Sequence, residues 1–319
     1  MAHNTEASLD TRIYTPYARL VKLQSQVQAF SLLPHLMAQS AMSGRHSSPF
    51  RGRGLNFEEL RHYQLGDDIR NLDWKVTMRT GKPHVRTYTE EKDRNFILCI
   101  DQRSGMYFSS VDTMKSVVAA EVGALAAWRI IKDNDRVGFI INYSDHIEYI
   151  KPQRSQNHLL HGLKRLCHAN QSLGLHSEDS DNVGFSATIS MLGNLGLKNA
   201  TVVFISDWSD ATEHDIDRLK YLQQHNDILS VIISDPLERR LPDEILDAST
   251  LVFGDGKYQL SVTEKHKLNA ANAGLAAQSQ SKLESLRQLM SIKKLPVIEL
   301  TTDGDHIARF KRAVGGFSS

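Results

Sequence analysis

Short apolar stretches alternate along most of the chain with longer segments in which apolar residues recur every three or four positions. The stretches Phe96–Ile100, Thr201–Ser206 and Leu229–Ile233 are almost wholly apolar. Continuous apolar runs of this length are typical of strands that are buried on both faces. The segments between them, such as Val111–Lys132 and Glu213–His225, have helical periodicity. This alternation predicts an α/β fold with a mostly parallel sheet and helices on both faces.

Residues 1–94 have a different pattern. An amphipathic helix is predicted after Pro16, and Phe57–Tyr63 is interpreted as a short helical turn. Leu72–Thr77 and Pro83–Thr89 are predicted to be two strands of a hairpin that turns at Gly81. The predicted division is a tail with an amphipathic helix (1–44), a small β-region (45–94) and an α/β domain (95–319).

The composition is that of an ordinary folded protein. Of the 319 residues, 40% are hydrophobic and 24% are charged, and the formal net charge is only +1. So balanced a charge argues against nucleic acid as a partner. The two cysteines favour a reducing compartment. No signal peptide and no segment suited to membrane insertion are recognised, so a cytoplasmic location is predicted.

Charged residues of both signs are concentrated between Arg51 and Arg94, with ten Lys/Arg and eight Asp/Glu. We predict a network of ion pairs here rather than a solvated surface, because the charges are interleaved with glycines and apolar residues. The acids and arginines that we expect to pair are Asp67, Asp68, Asp73, Arg61, Arg70 and Arg79. The same acids could instead act as paired carboxylates of a hydrolase. We favour the network, and no enzyme signature is recognised.

Two acids follow apolar strands directly. Asp101 ends the stretch Phe96–Ile100, and Asp207 ends the stretch Thr201–Ser206. In open α/β sheets, ligands bind beyond the carboxyl ends of strands, at the place where the strand order reverses. Asp101 and Asp207 are therefore expected to meet at such a place.

The charged region contains a set of residues that forms a recognisable signature: Arg53, Glu59, Arg61, Asp67, Asp68, Arg70, Asp73, Trp74 and Arg79. With these residues, and with the later Asp207 and Asp235–Glu238, the chain resembles the bacterial domain of unknown function 58 family over Ala41–Val314. We expect the signature residues of the charged region to be structural. The resemblance implies a von Willebrand factor A-like sheet with an inserted β-region. It also implies partnership with a MoxR-type AAA+ ATPase.

Von Willebrand factor A-like domains commonly hold Mg²⁺ through an Asp-x-Ser-x-Ser loop, a threonine and a second aspartate. In this chain Arg103 and Gly105 stand at the two serine positions. The threonine position falls near Phe185–Ser186, with Thr188 close by. We therefore predict no metal and no other cofactor.

Instead, Arg103 is expected to place its guanidinium between Asp101 and Asp207, in the position of the cation. The degenerate adhesion-site loops, with Asp101, Arg103, Ser104 and Asp207, are the predicted binding residues. The leading interpretation is a non-catalytic interaction module, an adaptor of a MoxR-type ATPase. The alternatives are a Mg²⁺-dependent adhesion-type binder of a carboxylate-bearing protein and, less favoured, the hydrolase.

Overall fold

The computed structural model forms two units, which are described separately here. Residues 1–32 and 94–319 make up the larger α/β unit, and residues 33–93 make up the small unit. The residues that the structure describes are 10–29, 55–64, 67–90, 94–239, 251–254, 259–262, 265–292 and 297–315. Arg53 lies outside the described residues, and of Glu59 only the backbone is described.

The regular elements are numbered along the chain. The strands are β1 (Leu55–His62), β2 (His84–Glu90), β3 (Asn95–Asp101), β4 (Arg136–Asn142), β5 (Ile147–Gln153), β6 (Ala200–Ser206), β7 (Asp227–Ser234), β8 (Leu251–Gly254), β9 (Gln259–Val262) and β10 (Val297–Thr301). The helices are α1 (Tyr17–Lys22), α2 (Trp74–Thr80), α3 (Lys115–Lys132), α4 (Gln156–Gln171), α5 (Phe185–Asn194), α6 (Glu213–Gln223), α7 (Pro236–Arg239), α8 (Lys265–Ser291) and α9 (His306–Gly315).

The α/β unit is built on a six-stranded sheet in the order β10-β7-β6-β3-β4-β5. The neighbours are parallel except for β4 and β5, which are antiparallel. The central strands β3, β6 and β7 are apolar and almost entirely buried, as expected for strands covered on both faces. The α/β fold predicted from the sequence is therefore confirmed. Strands β8 and β9 form a separate antiparallel pair.

The helices of the α/β unit form two groups. One group contains α1, α3, α4 and α9, and the other contains α5, α6, α7 and α8. The crossovers β3-α3-β4 and β6-α6-β7 run in opposite directions along the sheet, so right-handed connections place α3 and α6 on opposite faces. Helix α3 lies close to the sheet because Gly123 has no side chain. A Cβ at this position would be 2.5 Å from Cδ1 of Ile100.

The small unit differs from the prediction in two elements. Residues 55–62 form strand β1, which pairs antiparallel with β2, whereas a helical turn was predicted there. Trp74–Thr80 form helix α2 instead of the first strand of a hairpin. The Asp73 side chain caps this helix by accepting hydrogen bonds from the backbone N–H groups of Lys75 and Val76. At the other end Gly81, with φ of 71°, provides the left-handed C-cap.

Candidate binding site at the strand ends

The carboxyl ends of β3 and β6 lie side by side. The two strands are parallel, with Ile100 opposite Ile205, so the residues that follow them reach the same edge of the sheet. The Ser206 hydroxyl donates to Oδ2 of Asp101 at 2.8 Å. From these two strands the chain continues outward in opposite directions, to β4 on one side and to β7 on the other. This edge is therefore the switch point at which α/β proteins commonly bind ligands.

Arg103 joins two carboxylates at this edge. Its Nε and Nη2 donate to the two carboxylate oxygens of Asp101 at 3.0 and 2.8 Å. Its Nη1 and Nη2 donate to those of Asp210 at 2.6 and 2.9 Å. Arg103 is only 7% exposed. Burial opposes its charge, but the two carboxylates outweigh burial and raise the Arg103 pKa above its ordinary value.

The expected bridge from Arg103 to Asp207 is therefore corrected: the second carboxylate is that of Asp210. The reason is that another cation already holds Asp207. Nζ of Lys115 donates to Oδ2 of Asp207 at 2.7 Å and also to Glu238. Burial alone would raise the pKa of Asp207, but Lys115 outweighs this effect and lowers it.

Lys115 is an unusual residue for the position it occupies. It is the first residue of α3, where the positive end of the helix dipole disfavours a cation, and it is 1% exposed. Burial opposes its charge, yet Asp207 and Glu238 raise its pKa. The geometry thus indicates that Lys115 is held in place by the acids at the strand ends.

Further contacts order the loops around these ion pairs. The backbone N–H and the hydroxyl of Ser104 both donate to Asp179 at 2.8 Å. The N–H of Phe185, at the start of α5, donates to Oδ2 of Asp210 at 2.8 Å. Trp208 has a φ of 57°, which is strained for a bulky residue. It is fully buried, and its ring lies 4.5 Å from that of Phe185, so packing holds this conformation.

The residues present do not fit a Mg²⁺ site of the adhesion type. A hard cation needs carboxylate and hydroxyl oxygens that are free to coordinate it. Here the carboxylates of Asp101 and Asp207 are held by protein cations. A Cβ on Gly105 would lie 3.9 Å from Oδ2 of Asp207, but glycine supplies no hydroxyl there. The hydroxyl of Thr188 accepts from the Asn142 side chain instead, at 2.6 Å.

Several signature residues of the small unit form ion pairs within the described residues. Arg61 makes a bidentate pair with Asp67, at 2.8 and 2.6 Å. Arg70 is 3.8 Å from Asp68 and its side chain is 86% exposed.

Asp73 pairs with Arg86, at 2.8 and 2.6 Å, and Arg86 was not among the arginines that were expected to pair. This hydrogen-bonded pairing lowers the Asp73 pKa. Trp74 is 62% exposed. Within the described residues, Asp67, Asp68 and Asp73 thus have different partners, an arrangement unlike the paired carboxylates of an acid–base catalyst.

Sequence reasoning missed several residues of both sites. They are Lys115 and Asp179 at the strand ends, and Arg86 in the small unit. Asp210 and Glu238 lie in stretches that the sequence singled out, but their ion pairs were not predicted. The role of Asp210 could have been predicted from the sequence, because it follows Asp207 by three residues on the same loop. Lys115 had a weaker signal in the sequence, as a lysine at the start of an otherwise apolar, alanine-rich helix.

The fold and this edge define an α/β protein in which protein cations hold the acids at the ends of the central strands. The family model described as "Protein of unknown function DUF58" matches residues 59–255. This match covers more than half of the chain, and the chain belongs to that family. Uncharacterized proteins of Mycobacterium tuberculosis and Mycobacterium bovis are 23% identical to it over 223 residues, which is 70% of this chain and 68% of each relative.

Solved structures also match much of the chain. The conserved hypothetical protein BatB from Bacteroides thetaiotaomicron is 10% identical, with a TM-score of 0.35 over 62% of this chain and 99% of that one. An aerotolerance-related membrane protein from Bacteroides fragilis is 15% identical, with a TM-score of 0.36 over 68% and 94%. An uncharacterized membrane spanning protein from Vibrio fischeri is 14% identical, with a TM-score of 0.23 over 68% and 95%.

These comparisons contradict the cytoplasmic location that was predicted from the sequence. Two of the matched structures are described as membrane proteins, and the prediction is not retained. Among the helices of the described residues, none combines the length and the apolar character needed to cross a bilayer.

Proposed function

We propose that this protein is a non-catalytic interaction module, with a von Willebrand factor A-like sheet whose adhesion-site loops contact a protein partner. The observation that carries the proposal is the mutual pairing of charges at the ends of β3 and β6. Arg103 and Lys115 form ion pairs with the carboxylates that would otherwise be free to coordinate a metal. The loops are therefore ordered by the chain's own cations.

Such an edge offers a preorganised surface. Loops that are fixed before binding lose little conformational entropy when a partner docks, which favours affinity. The exposed residues around the strand ends form a rim that a partner can reach. Two of its side chains, those of Asp210 and Glu238, are 38% and 37% exposed. Ser209, between the two acids Asp207 and Asp210, is also exposed. A partner would contact this rim while the buried pairs keep its shape.

The partner that we propose is a MoxR-type AAA+ ATPase, and the protein would act as its adaptor in the assembly or maturation of protein complexes. This part of the proposal rests on the family resemblance, since fold alone does not define function. The relatives found by comparison are uncharacterized and do not name a partner.

The test is a binding measurement between the full-length protein and the MoxR-type ATPase of the same organism, with and without Mg·ATP. Ser209→Arg places a long cation on the rim and is expected to weaken binding at least about tenfold, as at an interface centre. Gln224→Arg is the matched control, because Gln224 is exposed at the opposite edge of the sheet, just before β7.

The control variant should bind like wild type. Equal affinity of Ser209→Arg and wild type would remove the strand-end rim from the interface. If no nucleotide-dependent binding to the ATPase is detected with wild type, the adaptor role itself is refuted.

A further inference from the structure

An apolar pair is exposed on helix α2 of the small unit. Trp74 and Met78 are 62% and 84% exposed, and their spacing of four residues places them on the same side of the helix. Ile69, on the short helical turn Ile69–Asn71 that precedes α2, is 61% exposed. Large apolar side chains that are exposed next to one another, unlike singly scattered ones, mark contact sites.

Positively charged residues lie next to Trp74 and Met78 in the sequence. Residues 74–82 contain Lys75, Arg79 and Lys82 and no acid. All three cations are exposed. Lys75 and Arg79 are also four residues apart, so they line the helix beside the apolar pair. Within the described residues, none of the three has a carboxylate at ion-pair distance.

The nearby acids are already engaged. Asp67 is held by Arg61, and Asp73 is held by Arg86 and by the N-terminus of α2. Asp68 accepts a hydrogen bond from the backbone N–H of Arg70. Among the described residues, the positive charge of residues 74–82 is therefore left without local compensation, next to two exposed apolar side chains.

We propose that this patch, Trp74 and Met78 with Lys75, Arg79 and Lys82, binds the surface of an anionic lipid bilayer. Tryptophan is favoured at the level of lipid headgroups, because its ring is apolar and its N–H is polar. Lysine and arginine interact with anionic headgroups while their alkyl stems lie along the apolar layer. The patch attaches the protein peripherally, and it is independent of the strand-end site.

Charge complementarity favours lipid over a protein partner. Tryptophan, methionine and arginine are also common at protein–protein interfaces, but lysine is depleted there, and the charges of such an interface face complementary charges of the partner. Two of the three cations here are lysines, and no acid is interspersed among them. An anionic bilayer presents a uniform negative surface, and such a surface attracts several lysines and arginines without requiring a specific arrangement.

Intrinsic fluorescence tests the proposal directly, because Trp74 is the one exposed tryptophan of the three in the chain. Trp128 and Trp208 are 3% and 0% exposed. The full-length protein is mixed with vesicles of phosphatidylcholine, with or without about one third phosphatidylserine. With phosphatidylserine, the emission should shift to shorter wavelength and become protected from acrylamide. Raising the salt to about 1 M should reverse both changes, since the Debye length is then about 3 Å.

Variants separate the two parts of the patch, with binding measured by sedimentation with vesicles. Lys75→Glu combined with Arg79→Glu should weaken binding about a hundredfold or more, since each cation contributes about a factor of five and reversal adds repulsion. Met78→Asp leaves the cations intact and should weaken binding about tenfold or more. Leu175→Ala and Lys198→Glu are matched controls on exposed residues of the α/β unit, and they should not alter binding.

Circular dichroism of each variant shows that the fold is retained. Three results would overturn the proposal. They are no sedimentation of wild type with phosphatidylserine vesicles, equal binding to phosphatidylcholine alone, and unchanged binding of the double charge reversal. Shielding of Trp74 by a protein partner, in the absence of any vesicle effect, would assign the patch to that protein instead.

Discussion

One ion pair at the strand ends and one ion pair in the small unit hold their aspartates in different ways, because the first is buried and the second is exposed. At the strand ends, the side chains of Lys115 and Asp207 are 2% and 7% exposed. In the small unit, the side chain of Arg70 is 86% exposed and 3.8 Å from Asp68. In water the attraction between two charges is largely screened, whereas a buried charge without its partner is costly. Burial, and not the number of ion pairs, therefore decides which charges the fold depends on.

The largest effect is expected for Lys115→Met. Removal of the ammonium leaves Asp207 buried without a counter-charge, and breaking a buried pair on one side typically costs about 3–5 kcal/mol. Adding Asp207→Asn to this variant should restore part of the loss, because no uncompensated charge is then buried. Lys220→Met is the matched control, because Lys220 pairs with Asp217 at an exposed site, and it should cost less than about 1 kcal/mol. The measurement is the free energy of unfolding in urea.

The contribution of the pair of Lys115 and Asp207 to stability should be lost at low pH and at high pH, but not between. The pKa of Asp207 is lowered, so its contribution is present above the ordinary value of 3.8 and is lost as the pH falls below it. The pKa of Lys115 is raised, so its contribution is present below the ordinary value of 10.5 and is lost only as the pH rises above it. Stability from this pair should therefore be constant between about pH 5 and pH 9.

Unfolding measured across pH checks this expectation. Between pH 5 and pH 3, wild type should lose more stability than the Lys115→Met variant, in which the favourable pairing of Asp207 is already absent. An equal loss in the two proteins would contradict the assigned role of Asp207.

In the small unit the largest effect is expected at Asp73. Its side chain accepts from two backbone N–H groups of α2 and also pairs with Arg86. Asp73→Ala removes the cap, and hydrogen exchange of the α2 amides should become about fivefold to tenfold faster. Asp73→Asn retains a good capping residue and should have a smaller effect. If Asn and Ala accelerate exchange equally, the pair with Arg86 matters more than the cap.

The α/β sheet was predictable because each central strand is marked locally, by a continuous apolar run with a helix-forming segment after it. The placement of the residues after β3 and β6 at one edge was predictable for the same reason, since these strands are parallel neighbours. The ion pairs that Lys115 and Asp210 form at this edge could not be predicted from the sequence in this way. Lys115 follows Asp101 by fourteen residues, and only the packing of α3 against the sheet brings it to Asp207. Asp210 reaches Arg103 from a loop in which Trp208 has a positive φ, a conformation that the residue type does not predict.

The small unit was harder to predict because its local signals conflict. Val76 and Thr77 are β-branched and favour a strand, so a hairpin was predicted where helix α2 forms. Asp73 before them and Gly81 after them are the signals of a helix start and a helix end, and these signals prevail in the structure. In β1 the charged residues obscure the alternation that normally reveals a strand. Capping residues therefore carried more information here than side-chain propensity.

The smallest effect is expected for Arg70→Ala. From the sequence, Arg70 was expected to belong to a network of ion pairs. In the structure the Arg70 side chain is 86% exposed, and its distance of 3.8 Å from Asp68 is long for a charge-assisted hydrogen bond. An exposed pair of this kind contributes at most a few tenths of a kcal/mol, so the free energy of unfolding should change by less than about 0.5 kcal/mol. A loss above about 2 kcal/mol would mean that Arg70 has a partner in the folded protein stronger than Asp68, and the contrast between the buried and the exposed pairs would no longer hold.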